Sequence, residues 1–431
     1  MRVIHPREFF NRKRSVVVAL VVTLFWSGQS AMGPSGSDNS PLNEPLLTGQ
    51  VHEAAAELDG ELDFAKRYPE LIGNRDGVTA SARDQANRSL IPKRRDELLA
   101  ERDRIQRELS ADKFHGAFND KAAALFSAER KIEGLEAVQR ALAAHPDAKL
   151  LLLDMGAGER GRAAIAIGDP DTAEHLSITT PGINSSPGQT LTGMVDEAAK
   201  LKSEGEAILR KQGSPGSVAS VAWIGYDPPQ FKWEGSNPGP GWADELKGLF
   251  ELSQDTRARR GSESFARFCQ GLAAVWRPAP DSSAMRPNIT VLGHSYGSLV
   301  VSLALQQLPK GVVDNAVFYG SPGIDMTETG NAGQLGLGPG HAFVLQSDDD
   351  PIQRIPGWGP MIAYGGFPTA FPWVVRLSTH AGEGPGDGVF HDAARGHADY
   401  PRSGANGELR MSGYNMAAVL VGRPDLAVRG H

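Results

Sequence analysis

Cysteine is almost missing from this sequence, since Cys269 is the only one in 431 residues. A lone thiol excludes an intrachain disulfide framework and any zinc site built mainly on thiolates. Its ordinary use is as a small buried apolar residue. Surplus charge is lacking too: 44 basic and 51 acidic residues leave a formal net charge of -7. Such a chain has no general attraction for phosphate backbones or anionic lipid, which argues against nucleic acid as a partner. Long apolar runs are also scarce. The one at the N-terminus, Val16 to Trp26, falls short of the roughly 20 residues that cross a bilayer comfortably.

That run follows Arg7, Arg12, Lys13 and Arg14 and precedes the small or polar Ser27, Gly28 and Ser30. Basic, apolar and small residues in that order describe a secretory signal peptide over 1–30, with an uncleaved membrane anchor as the rival. The expected location is therefore secreted or in the cell envelope. Residues 31–45, rich in Gly, Ser, Pro and Asn, read as a linker.

From 46 to 147 the pattern is helical. Leu135, Val138 and Leu142 share one face, and Ile91, Leu98 and Ile105 recur at every seventh position, as in a helical hairpin. The mixed charges of Lys93 to Glu108 describe a solvated face. Near Lys149 the period changes. Short runs of Leu, Ile and Val at 150–153, 162–168, 176–180, 218–224, 288–292, 315–319, 342–346 and 373–378 read as strands, with helices at 191–210, 242–276, 298–308 and 414–421. Alternation of this kind predicts an α/β fold, a mostly parallel sheet of about eight strands covered by helices, over 148–431. Gly156-Ala157-Gly158-Glu159-Arg160-Gly161 fits the dinucleotide spacing, but a strand follows it where a helix is required, so it reads as a hairpin turn.

The chemistry gathers around Gly293-His294-Ser295-Tyr296-Gly297, the only G-x-S-x-G in the chain. It lies between an apolar strand and a helix, where a nucleophile elbow lifts its serine above the sheet and the two glycines relieve crowding. A serine hydroxyl needs a base, and the base needs an acid that holds its tautomer. The chain order in this fold is serine, acid, histidine. The acid is expected after the strand ending near Gln346, and Asp350 is the first choice, with Asp348 and Asp349 close rivals and Asp325 a distant one. The Asp348-Asp349-Asp350 run also suits a helix cap or a calcium-binding turn. For the base, the loop before the last helix favours His397, then His391, then His380, and excludes the terminal His431. A metal cluster of His391, Asp392, His397 and Asp399 is a weaker reading, because it matches no metal signature. The oxyanion donors would be the amides of Tyr296 and Ile183, with Asn184 as an alternative to Ile183. Phe231, Trp233 and Trp242 suggest an apolar cover.

With these residues in place, the chain resembles a family of α/β-hydrolase-like proteins of unknown function, common in high-GC Gram-positive bacteria. The likeness runs from Tyr68-Pro69-Glu70-Leu71-Ile72-Gly73-Asn74, Arg83 and Ala86-Asn87-Arg88 through Gly161-Arg162-Ala163-Ala164 and Gly168-Asp169-Pro170-Asp171-Thr172-Ala173. It continues through Pro181-Gly182, Trp223-Ile224-Gly225-Tyr226-Asp227, the nucleophile pentapeptide and Gly320-Ser321-Pro322-Gly323, and closes on His397-Ala398-Asp399-Tyr400 before Asn415. The resemblance implies the same fold and nucleophile, and puts His397 at the family's base position. Two stretches depart from the pattern: 231–242 is unusually rich in Gly, Pro and Trp, and 364–371 lacks a His-Gly element. The expectation is an exported serine hydrolase that cleaves an ester, a thioester or an amide through an acyl-serine, without a cofactor or metal. Its substrate would be a small-molecule or lipid-like acyl ester, with association with the cell envelope. Transfer of the acyl group to an envelope acceptor, or a non-catalytic envelope-binding module, are the alternatives.

Overall fold

The computed structural model describes residues 60–111, 120–214, 216–230, 256–280, 282–327, 329–354 and 365–430. The signal-peptide and linker readings, and Phe231, Trp233 and Trp242, lie outside them.

Among the described residues four helices come first: α1 (Glu61–Arg67), α2 (Pro69–Ile72), α3 (Ala80–Ala111) and α4 (Asp120–Ala144). Two antiparallel strands follow, β1 (Lys149–Asp154) and β2 (Arg162–Ile167), joined through the Gly156–Gly161 turn, where Gly158 and Gly161 take positive φ. Next come β3 (His175–Thr180), α5 (Thr192–Lys211), β4 (Val218–Ile224), α6 (Thr256–Val275), β5 (Asn288–His294), α7 (Gly297–Leu305), β6 (Asn315–Tyr319), β7 (Ala342–Leu345) and β8 (Val375–Leu377). A short hairpin, β9 (Gly382–Glu383) and β10 (Phe390–His391), leads to α8 (Met411–Leu420). Among the described residues no helix is long and apolar enough to cross a membrane.

One eight-stranded sheet has the order β1-β2-β4-β3-β5-β6-β7-β8. From β4 to β8 every pairing is parallel, while β1 and β2 run antiparallel to their neighbours. All seven residues of β4 and all five of β6 are buried, as a strand covered on both faces requires. One face packs on α6 and α7, through Phe265, Phe268, Leu299 and Val300. The other packs on α5 and α8, through Leu201, Ile208, Tyr414 and Met416. The α4 residues Leu135, Val138 and Leu142 share a core with Leu150 and Leu153 of β1 and Ile165 of β2.

Buried polar contacts tie the first helices to the sheet. Asn87 of α3 donates to the Gly73 carbonyl at 2.6 Å and to the Leu150 carbonyl at 3.1 Å. Asp171, after β2, accepts the N–H groups of Ala80 and Ser81 at the start of α3, at 2.7 and 3.1 Å. A carboxylate there satisfies amides that have no partner within the helix and suits its positive end.

The strand order decides where chemistry can occur. β3 and β5 are neighbours, and Thr180 lies opposite Gly293, so the segments after both strands leave the sheet side by side. β6 pairs His294 with Tyr319, and β7 pairs Tyr319 with Leu345. The turns beginning at 181, 295, 320 and 346 therefore share one edge, the carboxyl ends of parallel strands where open α/β sheets hold their ligands.

Candidate active site

Ser295 follows β5 with φ of 51°, one of two non-glycine residues at positive φ among those described. The turn is tight enough to leave no room for side chains on its flanks. A Cβ on Gly293 would come 2.8 Å from Ser298 Cα, and one on Gly297 would come 2.4 Å from the Thr180 carbonyl oxygen. A serine held in this sparsely populated region costs on the order of 1–3 kcal/mol, and such strain persists where surrounding structure enforces it. Here the enforcement includes the Ser295 N–H, which donates to the Tyr319 carbonyl at 3.0 Å.

The turn after β3 lies against the serine. A Cβ on Gly182 would be 2.6 Å from Ser295 Cβ and 3.1 Å from its Oγ, so only glycine lets the backbone approach this closely. Asn184, the other non-glycine residue at positive φ, donates its backbone N–H to the Pro229 carbonyl at 2.9 Å. Its amide is thus committed to the loop after β4, which leaves Ile183 as the better oxyanion donor of the two. Tyr296, 1% exposed, sits on the first turn into α7, and its hydrophobic body packs in the core.

The three consecutive aspartates point in three directions. Asp348 is exposed and meets the exposed His380, with Oδ2 and Nε2 2.9 Å apart. Asp349 accepts the Gly396 N–H at 2.7 Å and so anchors the following loop. Asp350 is fully buried, and its two oxygens lie 3.0 and 3.1 Å from His397 Nδ1. The carboxylate also accepts the Tyr400 hydroxyl at 2.7 Å and the Ile352 N–H at 2.9 Å. Burial alone would raise its pKa, but the His397 bond and charge, the Tyr400 hydroxyl and the Ile352 amide outweigh it and hold the carboxyl below its ordinary value. Asp325 is bonded elsewhere: its N–H donates to Ser302 Oγ, and its carbonyl accepts from Gln306 of the turn after α7.

His397 retains 30% side-chain exposure, whereas its aspartate has none. It meets His294, the residue that precedes Ser295. His294 and His397 have ring centroids 4.8 Å apart, and His294 Nε2 is 2.8 Å from the His397 carbonyl oxygen, a geometry in which the Nε2–H donates. Burial first, and the charge of His397 second, push the His294 pKa down to about 4, so it stays neutral as that donor. Neither His294 nor Tyr400 stood out in the sequence. His294 occupies a variable position inside the pentapeptide. Tyr400, three residues after the base, carried a signal only as part of the His397-Ala398-Asp399-Tyr400 string.

His391 and the postulated four-residue metal cluster are not assembled at this edge. His391 is fully buried against Asp387, Asp392 Oδ2 accepts the Ala405 N–H at 2.8 Å, and Asp399 faces Arg410 at 3.3 Å.

A family model described as an alpha/beta hydrolase matches residues 157–360. An uncharacterized protein of Mycobacterium tuberculosis is 36% identical over 272 residues, covering 61% of this chain and 91% of that protein. A second uncharacterized M. tuberculosis protein is 30% identical over 295 residues, 67% of this chain and 41% of that protein. Among solved structures, the 2,6-dihydroxy-pseudo-oxynicotine hydrolase aligns at 14% identity with a TM-score of 0.23, covering 53% of this chain and 56% of the other, too slight an overlap to bear on the site. Sheet order, strand ends and the match across the nucleophile turn agree: the chain belongs to this α/β-hydrolase family, whose relatives are proteins of unassigned function.

Proposed function

We propose that the protein is an exported serine hydrolase that cleaves a small-molecule or lipid-like acyl ester through an acyl-Ser295 intermediate. The observation that carries this reading is the strained Ser295 turn, whose preceding residue His294 packs on the His397 ring and bonds its carbonyl, together with an Asp350–His397 pair whose acid is fully buried. Asp350 engages Nδ1, which leaves Nε2 as the nitrogen that serves the serine.

In the first half-reaction Ser295 Oγ attacks the acyl carbon while His397 Nε2 takes the hydroxyl proton. The resulting oxyanion is held by the Tyr296 and Ile183 amides. Collapse breaks the bond to the leaving oxygen, which departs as an alcohol with the proton from His397. A water then attacks the acyl-serine as His397 takes its proton, and Oγ leaves with that proton restored. Asp350 stays ionised throughout and stabilises the imidazolium. Every proton is accounted for by these side chains and water.

Export is part of the proposal and rests on the basic, apolar and small order of residues 1–30. Labelling by a fluorophosphonate, which needs an activated serine, is the direct test. Stoichiometric labelling that vanishes in Ser295→Ala supports the reading, and a correctly folded protein that takes no label ends it. A chain-length series of nitrophenyl esters then measures the acyl preference, and fractionation of expressing cells tests the location.

A further inference from the structure

A second group of ionisable side chains lies apart from the Asp350–His397 pair. Glu204 of α5, Asp387 in the turn between β9 and β10, and His391 of β10 each offer one ligating atom, and these atoms lie within 4.8 Å of one another. It is the one such cluster among the described residues. Glu204 and Asp387 are each 8% exposed and His391 has no exposure at all.

Three details distinguish the cluster from an ordinary buried ion pair. His391 Nδ1 lies 2.6 Å from the Leu409 carbonyl oxygen, so its N–H is spent there, and Nε2 is the ring atom turned to the carboxylates, 2.9 Å from Asp387 Oδ2. A backbone carbonyl on the far nitrogen is how metal-binding histidines are held in tautomer and orientation. Glu204 Oε1 is buried with no hydrogen-bond partner among the described residues, although an acceptor without a donor is costly in such a place. Gly384 lines the cluster: a Cβ there would be 2.3 Å from Asp387 Oδ1 and 2.9 Å from His391 Nε2, so only glycine lets the backbone pass this close to the ligating atoms.

We propose that Glu204, Asp387 and His391 form a structural site for one divalent transition-metal ion of the zinc class, which pins the β9–β10 hairpin to α5. One imidazole and two carboxylates suit zinc, whereas calcium takes six to eight oxygens. Ligands of a tetrahedral zinc ion lie roughly 3.3 Å apart, so the 2.9 Å between His391 Nε2 and Asp387 Oδ2 has only to open slightly. Two carboxylates and a neutral imidazole carry the charge that a divalent cation cancels. The ion would take no part in hydrolysis, since none of the three residues belongs to the Ser295 site.

The test is metal content and thermal stability of the full-length protein, stripped with a chelator and then given Zn²⁺ or Ca²⁺ alone. Binding of one Zn²⁺ per chain is expected, with a rise in the melting midpoint of roughly 5 °C at about a hundredfold excess over the dissociation constant. Ser295→Ala should keep both effects, and Glu204→Gln and His391→Gln should each lose them. Folded wild-type protein that takes up no zinc would overturn the proposal. So would a Glu204→Gln variant that still binds one equivalent, or a preference for Ca²⁺. A Glu204→Gln variant of raised stability, beside a wild type indifferent to metal, would reduce the cluster to a shared proton and equally refute the site.

Discussion

His397 and His391 each hold an aspartate within hydrogen-bond distance, at 3.0 and 2.9 Å, yet their surroundings diverge in every other respect. His397 keeps 30% of its side chain exposed, against the ring of His294 next to the strained Ser295, over a carboxylate whose remaining lone pairs are taken by Tyr400 and the Ile352 amide. His391 is sealed, its second nitrogen is fixed by a carbonyl, and a second carboxylate crowds its aspartate. A histidine–aspartate pair is therefore not in itself a catalytic device. What separates the two is whether the second ring nitrogen can meet a nucleophile and a substrate, and how completely the acid is satisfied.

That contrast can be broken by substitution, beginning with the largest effect. His397→Ala should lower turnover by about 10⁶-fold, as Ser295→Ala should, because nucleophile and base act as a unit. His391→Ala should leave turnover per labelled serine within about tenfold of wild type; a collapse equal to that of His397→Ala would show that the roles have been assigned to the wrong histidine. Asp350→Asn should cost about 10⁴-fold in turnover with the fold intact, measured beside its active-site titration.

On the sealed pair the loss should fall on stability instead. His391→Ala strands buried carboxylates and should lower the unfolding free energy by about 3–5 kcal/mol in denaturant titrations. Next in size is the pH dependence contributed by His294. Its folded pKa, about 4, lies below the ordinary value of 6.5, so the unfolded chain binds the extra proton first. The stability from neutral His294 is complete above pH 6.5 and is lost as pH falls toward 4, on the order of 3 kcal/mol across that window. Denaturant midpoints of His294→Asn should show a shallower decline than wild type between those limits. The smallest effect expected is that of Tyr400→Phe, which removes one donor from Asp350 and should slow turnover by roughly tenfold.

How far the sequence alone could reach follows from where each partner lies along the chain. The nucleophile turn was readable because strand, pentapeptide and helix are contiguous, and β4 and β6 fall on the same residues in sequence and structure. The sequence ranks Asp350 first but leaves Asp348 and Asp349 close behind it, since neighbouring side chains on an irregular turn diverge and only the tertiary surroundings say which points inward. Glu204 gave no signal at all, because its partners come from the far end of the chain and meet it only once α5 packs under the β9–β10 hairpin. The antiparallel placement of β1 and β2 likewise depended on strand order, which hydrophobic periodicity does not encode.

The grip of His294 on the His397 carbonyl joins two segments that lie about a hundred residues apart in sequence. Because the holder is the immediate neighbour of Ser295, this bond ties the Ser295 turn directly to the loop that carries His397. In the proposed reaction that tie would keep Ser295 and His397 on one connected piece of the fold.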